Sequence, residues 1–186
     1  VPMSQGTRNG VNVADLMSAI ESVKENPANG KLTFTVGSKW TGGFAAEHTT
    51  SKFAVGNEPG KRNKDHSIAT DEPNEVLGGD TGISPAETLI SSLAACLTVG
   101  YAANAAALGI DIDELSFEIT GNGSLEGFMN IGDKRPGLSD LNIKAIVKSD
   151  APAEKIRELH DFVNDHSPIW DTICNPVKIQ SEIVSG

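Results

Sequence analysis

The chain has 186 residues, a formal net charge of −10 and an isoelectric point near 4.8. That length suffices for one domain with a sizeable core, and 38% hydrophobic against 22% charged residues marks a globular chain rather than a disordered one. The acidic balance excludes the electrostatic footprint of a nucleic-acid binder and predicts repulsion from anionic membrane surfaces.

Residues 1–10 read as a disordered tail, with no basic region followed by an apolar run, so no signal peptide is expected. Asn12 can cap a helix in which Val13, Leu16, Met17, Ile20 and Val23 share one face. Asn26-Pro27 and Asn29-Gly30 stop it. Over Lys31–Trp40 the residues Leu32, Phe34 and Val36 alternate with polar ones, the pattern of a half-buried strand. Thr41-Gly42-Gly43 turns the chain into a second strand, Phe44–Val55, to make a hairpin. Asn57–Asn63 is a loop, Ser67–Thr70 a short strand, and Asp71–Gly82 an extended loop that delivers the chain to its central element.

That element is Ser84–Gly109, long, apolar and carrying Glu87 as its one charged side chain. Ser84 is an N-cap, Pro85 suits the first helical position, and Glu87 three residues on completes a capping box. Gly109 can take the left-handed conformation that closes a helix. A helix apolar all round is a buried one. Its many Ala, Ser and Thr residues, with no flanking basic or aromatic belt, argue against a membrane span. Small residues such as Ser92, Ala95, Gly100 and Ala103 let another backbone come close, so a second helix like itself is the expected neighbour.

Beyond it, Leu115, Phe117 and Ile119, and then Leu141, Ile143, Ala145 and Val147, mark two strands separated by an irregular excursion over Gly121–Gly137. Asp150 is expected to cap a helix whose buried stripe is Ile156, Leu159, Phe162 and Val163. Ser167-Pro168 ends it, and Ile169–Asn175 reads as a short connection. Val177, Ile179 and Ile183 mark a last strand. No linker divides the chain, so residues 1–186 read as a single domain. Strands segregated from helices make the class α+β.

Two cysteines far apart give neither a disulfide framework nor a zinc spacing, which fits a reducing cytoplasm. Cys96, in the middle of the long helix, is either a small buried hydrophobe or a reactive thiolate. Cys174 is either unrelated or the thiol that captures an oxidised Cys96. Glu87 is a capping acid with a possible second role at a site. His48, His66, His160 and His166 are scattered without ligand spacing, so no metal and no cofactor are expected. No nucleophile elbow follows a strand. Gly42-Gly43 and Gly78-Gly79 are turns, and Trp40 and Trp170 suit a core, an interface or a pocket wall.

Ser84-Pro85-Ala86-Glu87-Thr88-Leu89 followed by Ala94-Ala95-Cys96 resembles the central-helix motif of the OsmC/Ohr family, the osmotically inducible and organic-hydroperoxide-resistance proteins. Ala151–Leu159, His166-Ser167-Pro168 and Cys174-Asn175-Pro176-Val177 are similar to that family's second helix and its cysteine-bearing connection. The resemblance, to the OsmC-like subgroup, runs from about Asn12 to Val184. It implies an intertwined homodimer in which two long helices pack together, wrapped by antiparallel sheets from both chains. It further implies reduction of organic or small hydroperoxides by a cysteine pair, with a dithiol as reductant and an Arg–Glu pair activating the first thiol. By this resemblance Cys96 is the nucleophile, Cys174 the resolving thiol and Glu87 an organising acid. Two departures stand out. Asn175, not a cysteine, directly precedes the proline, and Phe44 stands where the activating arginine is expected, with Lys39, Lys52, Lys61 and Arg62 nearby in sequence. The alternative is a non-catalytic relative that binds an apolar small molecule or serves as an assembly partner.

Overall fold

In chain order the elements are β1 (Thr7–Arg8), β2 (Val11–Asn12), α1 (Val13–Glu25), β3 (Leu32–Gly42), β4 (Ala45–Val55), β5 (Glu58–Pro59), β6 (Ser67–Thr70), α2 (Pro85–Leu108), β7 (Glu114–Asn122), α3 (Leu125–Phe128), β8 (Asp140–Lys148), α4 (Ala153–Asp165) and α5 (Pro168–Cys174). They come from a computed structural model that describes residues 6–186. The class is α+β, with every strand pair antiparallel.

Local sequence sets both ends of α2. The Ser84 hydroxyl accepts from the Glu87 N–H at 3.2 Å while a Glu87 carboxylate oxygen accepts from the Ser84 N–H at 2.9 Å. Both are amide groups that a helix start otherwise leaves without partners. At the other end Gly109 has φ of 74°, and its N–H and that of Ile110 return to the carbonyls of Ala106 and Ala105.

One side of α2 carries the core. Leu93, Leu97, Tyr101 and Ala105 are buried with Ile110, and with Leu159 and Val163 of α4. The β7–β8 hairpin lies over them. Its inward positions Leu115, Phe117 and Ile119 face Val147, Ala145 and Ile143 across the ladder, and the period-2 alternation holds along both strands. Tyr101 is 1% exposed, sits edge-on to Phe117 and hydrogen-bonds His160 Nδ1.

The other side of α2 is open within the chain. Ser91, Ser92, Ala95, Thr98 and Val99 are exposed, Val99 by 68%. Within the single chain the expected burial is met on one side of the helix only, the side for which the chain itself supplies packing partners. The sheet β3–β4–β6 is unpaired in the same sense. Leu32, Phe34, Val36 and Trp40 occupy alternate positions of β3 and are 59–71% exposed, because the contacts of this sheet are almost entirely among its own strands.

Other sequence expectations are corrected as well. Part of the supposed N-terminal tail is ordered, since β1 and β2 pair and clamp the end of α2. Arg8 donates to the Gly109 carbonyl at 2.6 Å and pairs with Asp111 at 3.0 Å, and Asn9 donates to the Ile110 carbonyl at 2.9 Å. Carbonyls left over at a helix end attract such donors. Residues 1–5, the rest of that tail, lie outside the described residues. On α1 the capping by Asn12 holds, but only Val13 is buried and the far end of the stripe, Ile20 and Val23, is exposed. Asp150 does not cap α4: Pro152 occupies that place without a side-chain bond. Phe162 is exposed and stacks on His166 rather than joining the core. Ile169–Asn175 is mostly the helix α5. Residues 175–186 form no strand, and Val177, Ile179 and Ile183 face solvent, because no sheet edge of this chain runs beside them.

Candidate functional site

Cys96 lies on α2 where α5 meets it. Ser167 caps α5: its hydroxyl oxygen accepts from the Trp170 N–H at 3.3 Å, and Pro168 fills the first helical position. The same Ser-Pro signature that opens α2 thus opens α5. Ser167 is 5% exposed, and its hydroxyl donates to Cys96 Sγ at 3.2 Å. This is the one hydrogen bond to that sulfur among the described residues. Cys96 itself is half-buried and free. The arrangement is a partly accessible thiol held by a buried hydroxyl, able to donate to a thiolate or to an oxidised sulfur.

Cys174 is free and exposed at the last residue of α5. Seven residues at about 1.5 Å each put it roughly 10 Å along α5 from Ser167. It lines a cleft of about 540 Å³ with Leu89 and Leu93 of α2, Arg135, and Trp170 and Ile173 of α5. Cys96 is not among the lining residues, although it follows Leu89 by seven positions and so shares its helix face. Arg135 donates from Nη2 to the Leu138 carbonyl at 2.7 Å and has no ion pair among the described residues. A cavity of about 740 Å³ opens at the far end of α2 around Leu108–Asp111, away from both thiols.

Glu87 serves the capping box, and the Ser84 hydroxyl and then its N–H hold the Glu87 carboxyl below the usual carboxylate range. Among the described residues no hydrogen bond links it to Cys96. Phe44, where the resemblance led us to expect an arginine, sits exposed at the β3–β4 turn. His48 bridges Ser38 and Thr70, and His166 binds the Phe162 carbonyl, so both have structural work. Among the described residues no group of three or more His, Cys, Asp or Glu side chains could hold a metal.

Ahead of α2, Asp71 is 2% exposed and organises the approach loop. Its carboxylate accepts from the Thr81 hydroxyl at 2.7 Å, from the N–H groups of Gly79 and Thr81 at 3.0 and 3.2 Å, and from the Glu72 N–H at 2.8 Å. The Thr81 hydroxyl, helped by those backbone donors, outweighs burial and holds the Asp71 carboxyl low.

Sequence reasoning missed Ser167 and Arg135. Ser167-Pro168 was legible as a helix start but was assigned to the end of the preceding helix. Arg135 carried no local signal, because only the folding of the excursion places it in the cleft that Cys174 also lines.

A long capped helix with a half-buried thiol at its centre, backed by an antiparallel hairpin and a second helix whose capping serine reaches the sulfur, defines the chain as an α+β protein. The sequence pattern of the OsmC-like protein family matches residues 78–182, more than half of the chain, and the chain belongs to that family. No curated protein sequence matches it. Among solved structures it is similar to an OsmC-like protein from Mycoplasma pneumoniae, at 22% identity with a TM-score of 0.59, covering 77% of this chain and 89% of that one. It is also similar to a putative osmotic stress induced and detoxification response protein from Psychrobacter arcticus, at 17% identity and a TM-score of 0.60, covering 77% and 90%. A third is a putative organic hydroperoxide resistance protein from Vibrio cholerae with captopril in one of its active sites, at 14% identity and a TM-score of 0.53, covering 78% and 88%. At these identities the likeness carries the fold.

Proposed function

We propose that the protein reduces organic or small hydroperoxides at Cys96, with a dithiol as reductant, as an intertwined homodimer. The observation that carries the reading is the half-buried Cys96 thiol with the Ser167 hydroxyl donating to it. The sulfur can meet a small peroxide, and the hydroxyl stabilises charge on it without blocking it. Family membership and the hydroperoxide-resistance neighbour agree with this chemistry. The exposed side of α2 and the exposed apolar face of β3 are surfaces that a monomer keeps out of water only by covering them, and a second copy is the occupant proposed. In a dimer a cation from the partner can stand where Phe44 leaves none.

The test is consumption of cumene hydroperoxide by the purified protein with dihydrolipoamide. Turnover that disappears in Cys96→Ser supports the reading. Absence of turnover, or undiminished turnover in that variant, ends it.

A second reading, binding of an apolar small molecule without catalysis, is favoured by the cleft beside α5. Its walls include Leu89, Leu141, Trp170 and Ile173, and Arg135 offers donors at one side, a size and lining suited to one amphiphilic anion. Titrating dodecanoate into Trp40→Phe protein and following Trp170 fluorescence tests it. A saturable response weakened in Arg135→Gln favours binding, and a flat titration removes it.

A further inference from the structure

We infer that Cys96 works without a second cysteine of its own chain: Ser167 occupies the position a resolving thiol needs, and an external thiol completes the cycle. The inference rests on the proposed peroxide chemistry at Cys96 and changes which residues carry it.

The residue in contact with Cys96 Sγ is Ser167, at 3.2 Å, and it is 5% exposed, so its hydroxyl has little water to compete for it. Ser167 directly precedes a proline, as Asn175 does, but Asn175 donates to the Asp171 carbonyl and carboxylate at its own end of α5 and touches no sulfur. Cys174 stands at that same far end, roughly 10 Å along the axis from Ser167, beside the turns of α2 that hold Leu89 and Leu93. A disulfide needs Cα atoms within about 7 Å. For Cys174 to take the place that Ser167 holds at the sulfur, it would have to move roughly 10 Å along the axis of α5, against the Ser167 cap, the Thr172 hydroxyl bond to the Pro168 carbonyl and the helix's own bonds.

The chemistry balances without Cys174. The Cys96 thiolate attacks the distal peroxide oxygen. An S–O bond forms, the O–O bond breaks, and the alkoxide leaves as the alcohol after taking a proton from water. Sulfur loses two electrons and the peroxide gains them. Ser167 donates its hydroxyl hydrogen first to the thiolate and then to the sulfenic acid oxygen or sulfur, which holds the oxidised form in place. The first thiol of an external dithiol attacks the sulfenic sulfur. An S–S bond forms, the S–O bond breaks, and water leaves. The second thiol of that dithiol attacks the mixed disulfide, releasing Cys96 as a thiol and the reductant as a cyclic disulfide. An oxygen at position 167 can hold the sulfur but cannot bond to it, so no internal disulfide forms at this contact.

The experiment treats wild-type protein with one equivalent of cumene hydroperoxide, traps with dimedone and maps peptides without reduction. A dimedone adduct on Cys96, no Cys96–Cys174 linked peptide, and turnover with dihydrolipoamide retained in Cys174→Ser are the expected results. A linked Cys96–Cys174 peptide, or loss of turnover in Cys174→Ser, overturns the inference. Ser167→Ala is expected to slow Cys96 oxidation about tenfold, the weight of one hydrogen bond to a charged group, and Ser167→Thr, which keeps both hydroxyl and helix cap, to restore most of it. Equal rates in Ser167→Ala and wild type also overturn it. Ser167→Cys with diamide tests the geometry apart from peroxide chemistry: a disulfide to Cys96 is expected, and two free thiols contradict the contact. If Cys96 resists hydroperoxide while that disulfide forms, the proposed function fails and the placement of Ser167 stands.

Discussion

A Cβ added to Gly100 would lie 2.7 Å from Val163 Cγ1. Here α2 and α4 are in close contact, and the branched Val163 has little freedom to yield. Gly100→Ala gains up to about 1 kcal/mol of helix propensity but overpacks a buried contact at a cost of about 1–3 kcal/mol. The expected net loss is about 1 kcal/mol, read as a lower urea midpoint at unchanged slope; a raised midpoint would contradict the close approach. Asp71 makes a pH prediction with a definite sign. Its carboxyl titrates lower folded than unfolded because the Thr81 hydroxyl and three N–H groups bind its charged form, and Glu87 and Asp140 are lowered likewise. Their contribution is present above the ordinary carboxylate range and is lost as pH falls through it. Thermal melts from pH 6 downward should show stability declining below about pH 4. Asp71→Asn should flatten that decline while lowering the plateau; an unchanged acid limb would show that the loop does not depend on the charge.

Among the elements, α2 depends most on a single side chain at its start. Ser84 is buried and satisfies one of the orphan amides of the first turn, so Ser84→Ala should cost about 1 kcal/mol. Ser84→Asp, which keeps an acceptor at the cap, should cost less. Calorimetric midpoints of the two variants decide this, and equal losses would mean that burial of the hydroxyl, not the cap, is what matters. Helices and strands whose ends are written in turn and cap residues were the ones read correctly: α2 from Ser84 to Gly109, α1 from Asn12, the β3–β4 hairpin around Gly42-Gly43, and β7 and β8 from their alternation. The errors have a common cause. Val177–Ile183 has strand composition, but a strand exists only against a partner edge. Ser167-Pro168 has helix-start chemistry, yet it abuts the end of α4, so one signal had two neighbours to serve.

For the whole molecule the decisive quantity is exposed apolar surface. Phe34, Val36 and Trp40 on β3 and Val99 on α2 stand in solvent in the single chain, and contiguous surface of this kind is paired in stable soluble proteins. Sedimentation equilibrium should give the mass of two chains. Phe34→Asp should shift the population toward one chain while leaving the α2–β7–β8–α4 core folded, as read by far-ultraviolet circular dichroism. A wild-type monomer at micromolar concentration would remove the dimer proposal.

Residue type and spacing alone were enough for the α+β class, the extent of the central helix, and its cap and close, because each depends on neighbours within a few positions along the chain. Packing alone decided that Ser167 and not Cys174 meets that sulfur, that Arg135 joins a cleft with Cys174, that β1 and β2 clamp the end of α2, and that one side of α2 and one face of β3 stay open. These depend on which distant segments come together, and side-chain chemistry does not carry that information until the chain has folded around Leu97 and Tyr101.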